Sequence, residues 1–325
     1  MFQRFYTIAM TTFVETVRQP IFGVILLATA LLLVLNVSLA AFTLDDDNKL
    51  LLDLGLSTLL LSGLFLSAFS AAGVLSREIE NKTVLTVISK PVSRPVFILA
   101  KSAGLMAALL IAYYLCTLVF ILTVRHGVLQ NSSDPWDAPV LTFGIGSLLL
   151  ALLAAAAANF LYGKDFTTTT IALAAPLLTI SLLLIGKFNE HWDVIPFGSN
   201  YVGGQVLIAA YLVWLVVMIT AAVALAASTR FGQLMTLVIC VGVLTLGIIS
   251  DYAFGQHASS SFIAAIGYYI VPNVGPFWVV DALHAGTEKT IVTLGYVGYV
   301  SAYAALVIAA ALGIAVVAFQ KREVG

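Results

Sequence analysis

The side chains that could do chemistry in this sequence are few and far apart. Four histidines, His126, His191, His257 and His284, are candidate metal ligands because neutral imidazole binds transition metals readily. They fall in three separate loops without ligand spacing, the pattern of solvated loop histidines, so no metal site is expected. Gly163-Lys164 and Gly186-Lys187 lack both the upstream glycine of a phosphate-binding loop and the Ser or Thr that follows its lysine. If ATP drives this protein, another chain must bind it. Asp53 and Asp251 fall inside apolar runs, where an ionisable group usually marks an ion or proton path. Both lie near the ends of their runs and read as boundary residues. No His-Glu-x-x-His, Ser-His or paired Asp falls within the apolar runs, so an intramembrane enzyme is not expected. Cys116 and Cys240 sit inside apolar runs and read as small core hydrophobes, with no disulfide framework or zinc spacing.

The elements that carry these residues are set by composition. The 325 residues are 61% hydrophobic and 10% charged, with a mean hydropathy of +1.06, against about 25% charged in soluble domains. Apolar runs long enough to cross a bilayer cover Ile21 to Thr43, Leu50 to Leu75, Phe97 to Val124, Val140 to Tyr162, Thr168 to Gly186, Val206 to Ser228, Leu234 to Phe254 and Ile291 to Phe319. An all-α polytopic membrane protein of about eight transmembrane helices is predicted. The span Thr168 to Gly186 is short and interrupted by Pro176. The first run is too long for a signal-peptide core and reads as a retained span.

Eight spans place both termini on one face. Lys49, Arg125, Lys187 and Lys289 then fall on the other face, and the remaining eleven of the 15 basic residues share the side of the termini. By the positive-inside rule that side is cytoplasmic, which predicts an integral plasma-membrane protein. Trp136, Trp192 and Trp278 fall near outer boundaries, as an aromatic belt would. The four histidines fall on the outer side too.

Residues 1–20 read as an interfacial amphipathic helix and 21–325 as the transmembrane domain. In the first, Phe2, Phe5, Tyr6, Ala9, Met10, Phe13 and Val17 form one apolar stripe, with Arg4, Thr7, Thr11, Glu15 and Arg18 opposite and Pro20 marking a break. Residues 255–290 form a long outer loop whose middle is too apolar for water, while Pro272 and Pro276 interrupt any continuous helix; a re-entrant or interfacial element fits.

The other departure from hydrocarbon is the charged segment 77–101, "REIENKTVLTVISKPVSRPVFILAK". Val84, Leu85, Val87 and Ile88 share one side of a helical wheel, with Lys82, Thr83, Thr86 and Ser89 on the other. Glu78 and Lys82 stand four apart in the favourable order. Pro91 and Pro95 are expected to end this helix and turn the chain, with Arg94 and Lys101 at the re-entry to the membrane.

The pattern Glu-x-x-x-Thr, a short apolar stretch and then "KPVSRPVFILAKSAG" (Lys90 to Gly104) resembles the first cytoplasmic loop of the second class of ABC exporter permeases. "YYIVPNVGPFWVVDAL" (Tyr268 to Leu283) is similar to the proline-asparagine segment before the last span of that family, and the N-terminal helix to its connecting helix. Lys82 stands where a glycine is common, and Ala100 where a glycine often precedes the lysine.

The resemblance implies that the loop is a coupling helix docking on a separate ATP-binding-cassette subunit, with Arg77, Glu78, Glu80, Lys82, Thr83, Pro91, Ser93, Arg94 and Lys101 as contact residues and Arg4, Glu15 and Arg18 on the interfacial helix. It also implies a second permease subunit, identical or homologous, in the lipid bilayer, with no nucleic acid among the partners. This chain would bind no cofactor and hydrolyse nothing itself, since ATP and magnesium belong to the partner. A hydrophobic or amphipathic exported substrate is expected. The alternatives are an ion-coupled secondary transporter, which generally places coupling groups near the midplane, and a non-transporting membrane scaffold.

Overall fold

The computed structural model describes residues 2–41, 47–80, 93–129, 136–199, 202–257, 261–280, 283 and 291–320, excepting the side chains of 75–80. Among these the fold is helical, with one isolated bridge between Phe188 and Val194. The helices are α1 (Phe2–Val17), α2 (Pro20–Ala40), α3 (Asp47–Glu80), α4 (Arg94–His126), a π-helical turn (Val140–Ile145) leading into α5 (Gly146–Tyr162), α6 (Phe166–Ile185), α7 (Gly204–Ser228), α8 (Gln233–Ile248), α9 (Ser250–Ala253), α10 (Phe262–Ile270) and α11 (Leu294–Gln320).

Among the described residues seven segments are long and apolar enough to cross a membrane: α2, α3 as far as Val74, α4, the π turn with α5, α6, α7 and α11. An eighth, α8, qualifies only together with Ser250–His257, from which it is bent by 68°. Among the described residues each expected apolar run is mainly helical, although the last helix begins only at Leu294 and Leu234 to Phe254 is not one straight rod. The cause is a competing backbone partner. Val274 donates its N–H to the Gly247 carbonyl at 3.0 Å, and the Pro272 carbonyl lies directly against Gly247. An inserted group that occupies a carbonyl of the helical ladder is a recognised cause of sharp kinks.

Pro176, expected to interrupt its span, lies within an unbroken α6. The start of this helix is firmly set. Gly163 closes α5 in the left-handed region at φ 63°, and Asp165 caps α6, its carboxylate accepting the Thr168 N–H at 2.8 Å and hydroxyl at 2.6 Å. The break expected at Pro20 falls between Val17 and Pro20, and the proline itself opens the first turn of α2, where its missing N–H costs nothing.

The chain folds as two compact units, one of Met1–Thr16, Gly63–Leu109 and Tyr211–Gly325, the other of Val17–Ser62 and Leu110–Ala210. In the second, Asn36 donates to the Thr58 hydroxyl at 3.0 Å, the Tyr113 hydroxyl to the Ala210 carbonyl at 2.7 Å, and Ser147 pairs with Ser181. Such bonds join helices where hydrocarbon offers polar groups no other partner. One end of this unit is built on Arg125. Its side chain is 4% exposed, and it donates to Asp137 Oδ2 at 3.3 Å and to the carbonyls of Ile185 and Phe188 at 2.7 and 2.6 Å. Asp137 Oδ1 in turn accepts the Val140 N–H at 3.0 Å, capping the π turn. Arg125 thus closes the C-terminus of α6, where the helix dipole favours a cation.

In the first unit α3 and α7 meet closely, since a Cβ on Gly63 would collide with the side chain of Val217. Glycine is what lets the two backbones approach.

The hairpin between α5 and α6 decides the topology of everything after it. With Cys116 and Cys240 replaced by Ala, single cysteines at Lys164 and His191, both exposed, should react with a membrane-impermeant maleimide from opposite faces. Reaction of both from the same face would remove α6 from the set of crossings.

Candidate functional site

The charged segment is the natural place to build a site, and its flanks are well defined. The apolar stretch of α3 ends at Val74, yet the helix continues to Glu80. Those residues extend the rod by about 9 Å at 1.5 Å per residue. Arg77, Glu78 and Glu80 therefore lie on a continuation of the span rather than opening a new element, and their side chains are outside the described residues. Lys82, Thr83, Pro91 and the short helix expected around Val84 to Ile88 also lie outside the described residues.

The description resumes at Ser93, whose carbonyl accepts the Phe97 N–H at 3.1 Å and so opens α4. Pro95, expected to help end the preceding helix, is instead the second residue of α4. A proline there has no intrahelical donor to lose. Arg94 reaches across the first unit and donates to the Gln320 carbonyl at 2.7 Å. Gln320 is the last described residue of α11, and the guanidinium bonds a carbonyl at the end of that helix, where the dipole favours a cation. One turn on, Phe97 stacks on Phe319 with ring centroids 5.7 Å apart. Lys101, 2% exposed, places its ammonium 5.2 Å from the Phe97 centroid, close enough for a cation–π contact. Of the expected contact residues, Ser93, Arg94 and Lys101 are thus brought to one place, with Lys101 and part of Arg94 spent on packing within the chain.

The interfacial helix joins the same region. Gly104 of α4 lies against the Ala9 carbonyl and the Thr12 side chain of α1, in the space a Cβ would fill. Thr12 and Thr16 are buried, whereas Phe2, Tyr6 and Met10 are 83%, 62% and 46% exposed. The single apolar stripe read from periodicity is therefore divided. Small residues face the protein because they admit a close helix crossing, and the large ones of that stripe at positions 2, 6 and 10 face outward. Arg4, Glu15 and Arg18 are exposed as expected. Neither Gly104 nor the threonine face was singled out in the sequence, although Gly104 ends the motif that was.

A second polar cluster forms at the bend beside α9. Asp251 Oδ1 accepts from Asn273 Nδ2 at 2.7 Å and from the Tyr268 hydroxyl at 3.1 Å. Asn273 Oδ1 accepts the Gly275 N–H at 2.9 Å, the Asn273 N–H donates to the Tyr303 hydroxyl at 2.9 Å, and the Tyr296 hydroxyl donates to the Pro276 carbonyl at 2.6 Å. The hydrogen bond to Asp251 raises the Tyr268 pKa above its ordinary value, because ionising that phenol would break the bond and set two negative charges together. Asp251 is exposed, and it anchors the proline-bounded loop to the bend. The signal for this was Asn273, set between two prolines, where an asparagine commonly bonds a backbone N–H two residues on.

His126 and His191 are far apart in sequence and in different surroundings, His284 lies outside the described residues, and no group of three His, Cys, Asp or Glu able to hold a metal occurs among the described residues.

The fit at Gly104 yields a direct test. Gly104→Leu should lever α1 away, costing about 1–3 kcal/mol of local packing. Trypsin should then cut after Arg18 roughly tenfold faster while the spans stay intact by mass; unchanged cleavage would show that α1 is held elsewhere. Comparison of the chain with protein-family models, with curated proteins and with solved structures finds no match.

Proposed function

We propose that this chain is the membrane-spanning permease subunit of an ATP-binding-cassette transporter that exports a hydrophobic or amphipathic substrate from the cytoplasmic side of the plasma membrane. Its segment 77–101 docks on a separate ATPase subunit that holds the ATP and magnesium, and a second permease completes the assembly. The observation that carries the reading is mechanical. The charged segment is framed by a helix that continues past its apolar stretch and by another that is bonded at its first turn to the end of α11 and packed further along, at Gly104, on α1. A force applied to the segment is thereby delivered to several helices of one unit, as a subunit without its own nucleotide site requires.

The alternative with a specific observation behind it is an ion-coupled carrier. It is favoured by the broken span at Ile249 with a carboxylate beside the break, since discontinuous helices often build ion sites in secondary transporters. Asp251 lies near the end of its apolar run, not at its middle, which weighs against this reading.

Purification from native membranes in mild detergent should yield a companion carrying a Walker motif. The double reversal Glu78→Lys with Arg94→Glu should lose that companion or its coupled ATP hydrolysis, with membrane insertion unchanged. Asp251→Asn should leave ATP-dependent transport in place. Uptake by the chain alone in proteoliposomes, driven by an ion gradient and abolished by Asp251→Asn, would replace this reading with the carrier.

A further inference from the structure

The second unit contains a cavity of about 180 Å³ between the C-terminal turns of α2 and α4 and the π turn that precedes α5. Its walls are chiefly aliphatic, with Val37, Leu122 and Ile145 among them, and His126 and Trp136 stand at one end. Two of its polar groups are engaged within the chain. The Thr123 hydroxyl donates to the Phe120 carbonyl at 2.8 Å, and His126 Nδ1 lies 3.0 Å from the Gly127 carbonyl. Because a carbonyl only accepts, Nδ1 is the ring's donor and Nε2 is left as an acceptor in the neutral ring. A water needs two to four polar partners, whereas an apolar cavity of about 150 Å³ stays dry and takes a hydrocarbon ligand. Chemistry of the wall therefore selects hydrocarbon.

Three features identify the source of that hydrocarbon. The rim opens on an exposed apolar surface, since Val34 and Ile145 are each 45% exposed and Leu149, one turn beyond Ile145, is 54% exposed. Trp136, 63% exposed, meets the His126 ring edge-on at a centroid distance of 6.3 Å. An indole beside an imidazole at the end of spanning helices suits the level at which lipid headgroups begin. The wall is also pre-formed, because the π turn is capped by Asp137, itself held by the buried Arg125. A π turn carries one residue more than an α turn and is often found at functional sites.

We infer that this cavity binds the hydrocarbon tail of a membrane amphipath, with its hydrogen-bonding headgroup beside His126 and Trp136. The inference rests on the cavity alone and needs neither an ATPase partner nor transport.

The test uses the full chain in nanodiscs of phosphatidylcholine and phosphatidylglycerol, doped with a phosphatidylcholine that bears a diazirine on one acyl chain. After irradiation, mass spectrometry should place cross-links mainly on residues 119–126 and 140–148. Val37→Trp, which fills the cavity, should lower those cross-links about tenfold. Leu39→Trp, two residues on and 52% exposed, should leave them unchanged. Ile145→Trp gives the same reading if the first variant does not elute as a folded peak. Cross-links spread evenly over every lipid-facing span, or undiminished in the filled variants, would overturn the proposal and leave only ordinary annular lipid. Either result stands apart from the search for a Walker-bearing companion, so the two readings can fail separately.

Discussion

Hydrocarbon offers no partner to a backbone N–H or carbonyl, and this constraint governs the molecule. Helices meet it by pairing their groups within the segment, which is why the apolar runs are mainly helical among the described residues. The informative places are those where the pairing is interrupted and another group steps in. At the bend after α8 the Gly247 carbonyl is taken by Val274; at the π turn the Val140 N–H is taken by Asp137; at the end of α6 two carbonyls are taken by Arg125. Each interruption is thus tied to a named partner, local at the π turn and distant in sequence at the other two.

Association between spans follows from the same solvent. Lipid tails are as apolar as leucine, so burying apolar surface between helices brings little advantage, and close packing and interhelical hydrogen bonds must supply the attraction. Gly63 against Val217 and Gly104 against Ala9 are contacts of the first kind; Tyr113 with Ala210 and Asn36 with Thr58 are of the second. The consequence for function lies at the start of α4. Arg94, Phe97 and Gly104 face three different partners along successive turns, and so join α1 and α11 to the helix that follows the charged segment.

The charged groups that were most conspicuous in the sequence have acquired two kinds of task. Arg125, which counted only as an outer loop cation, is buried and holds one end of a unit together. Arg94 and Lys101, expected to face a partner subunit, make contacts within the chain that fix where α4 begins. A docking surface built here would rest on a braced platform, with Arg94 at the junction between brace and surface.

Hydropathy and period alone determined the all-helical class, the position of the seven long apolar helices and the first helix, because a membrane imposes length and apolarity on each segment independently of the others. The same local signals located the charged segment and the proline-bounded loop. What they could not supply was anything that depends on a neighbour distant in sequence. The bend at Ile249 arises beside Val274, and the face of α1 that packs is chosen by Gly104, 95 residues beyond Ala9. A run of apolar residues records that it will be buried in something, and only the assembled helices decide whether that is lipid, another span or the wall of a cavity.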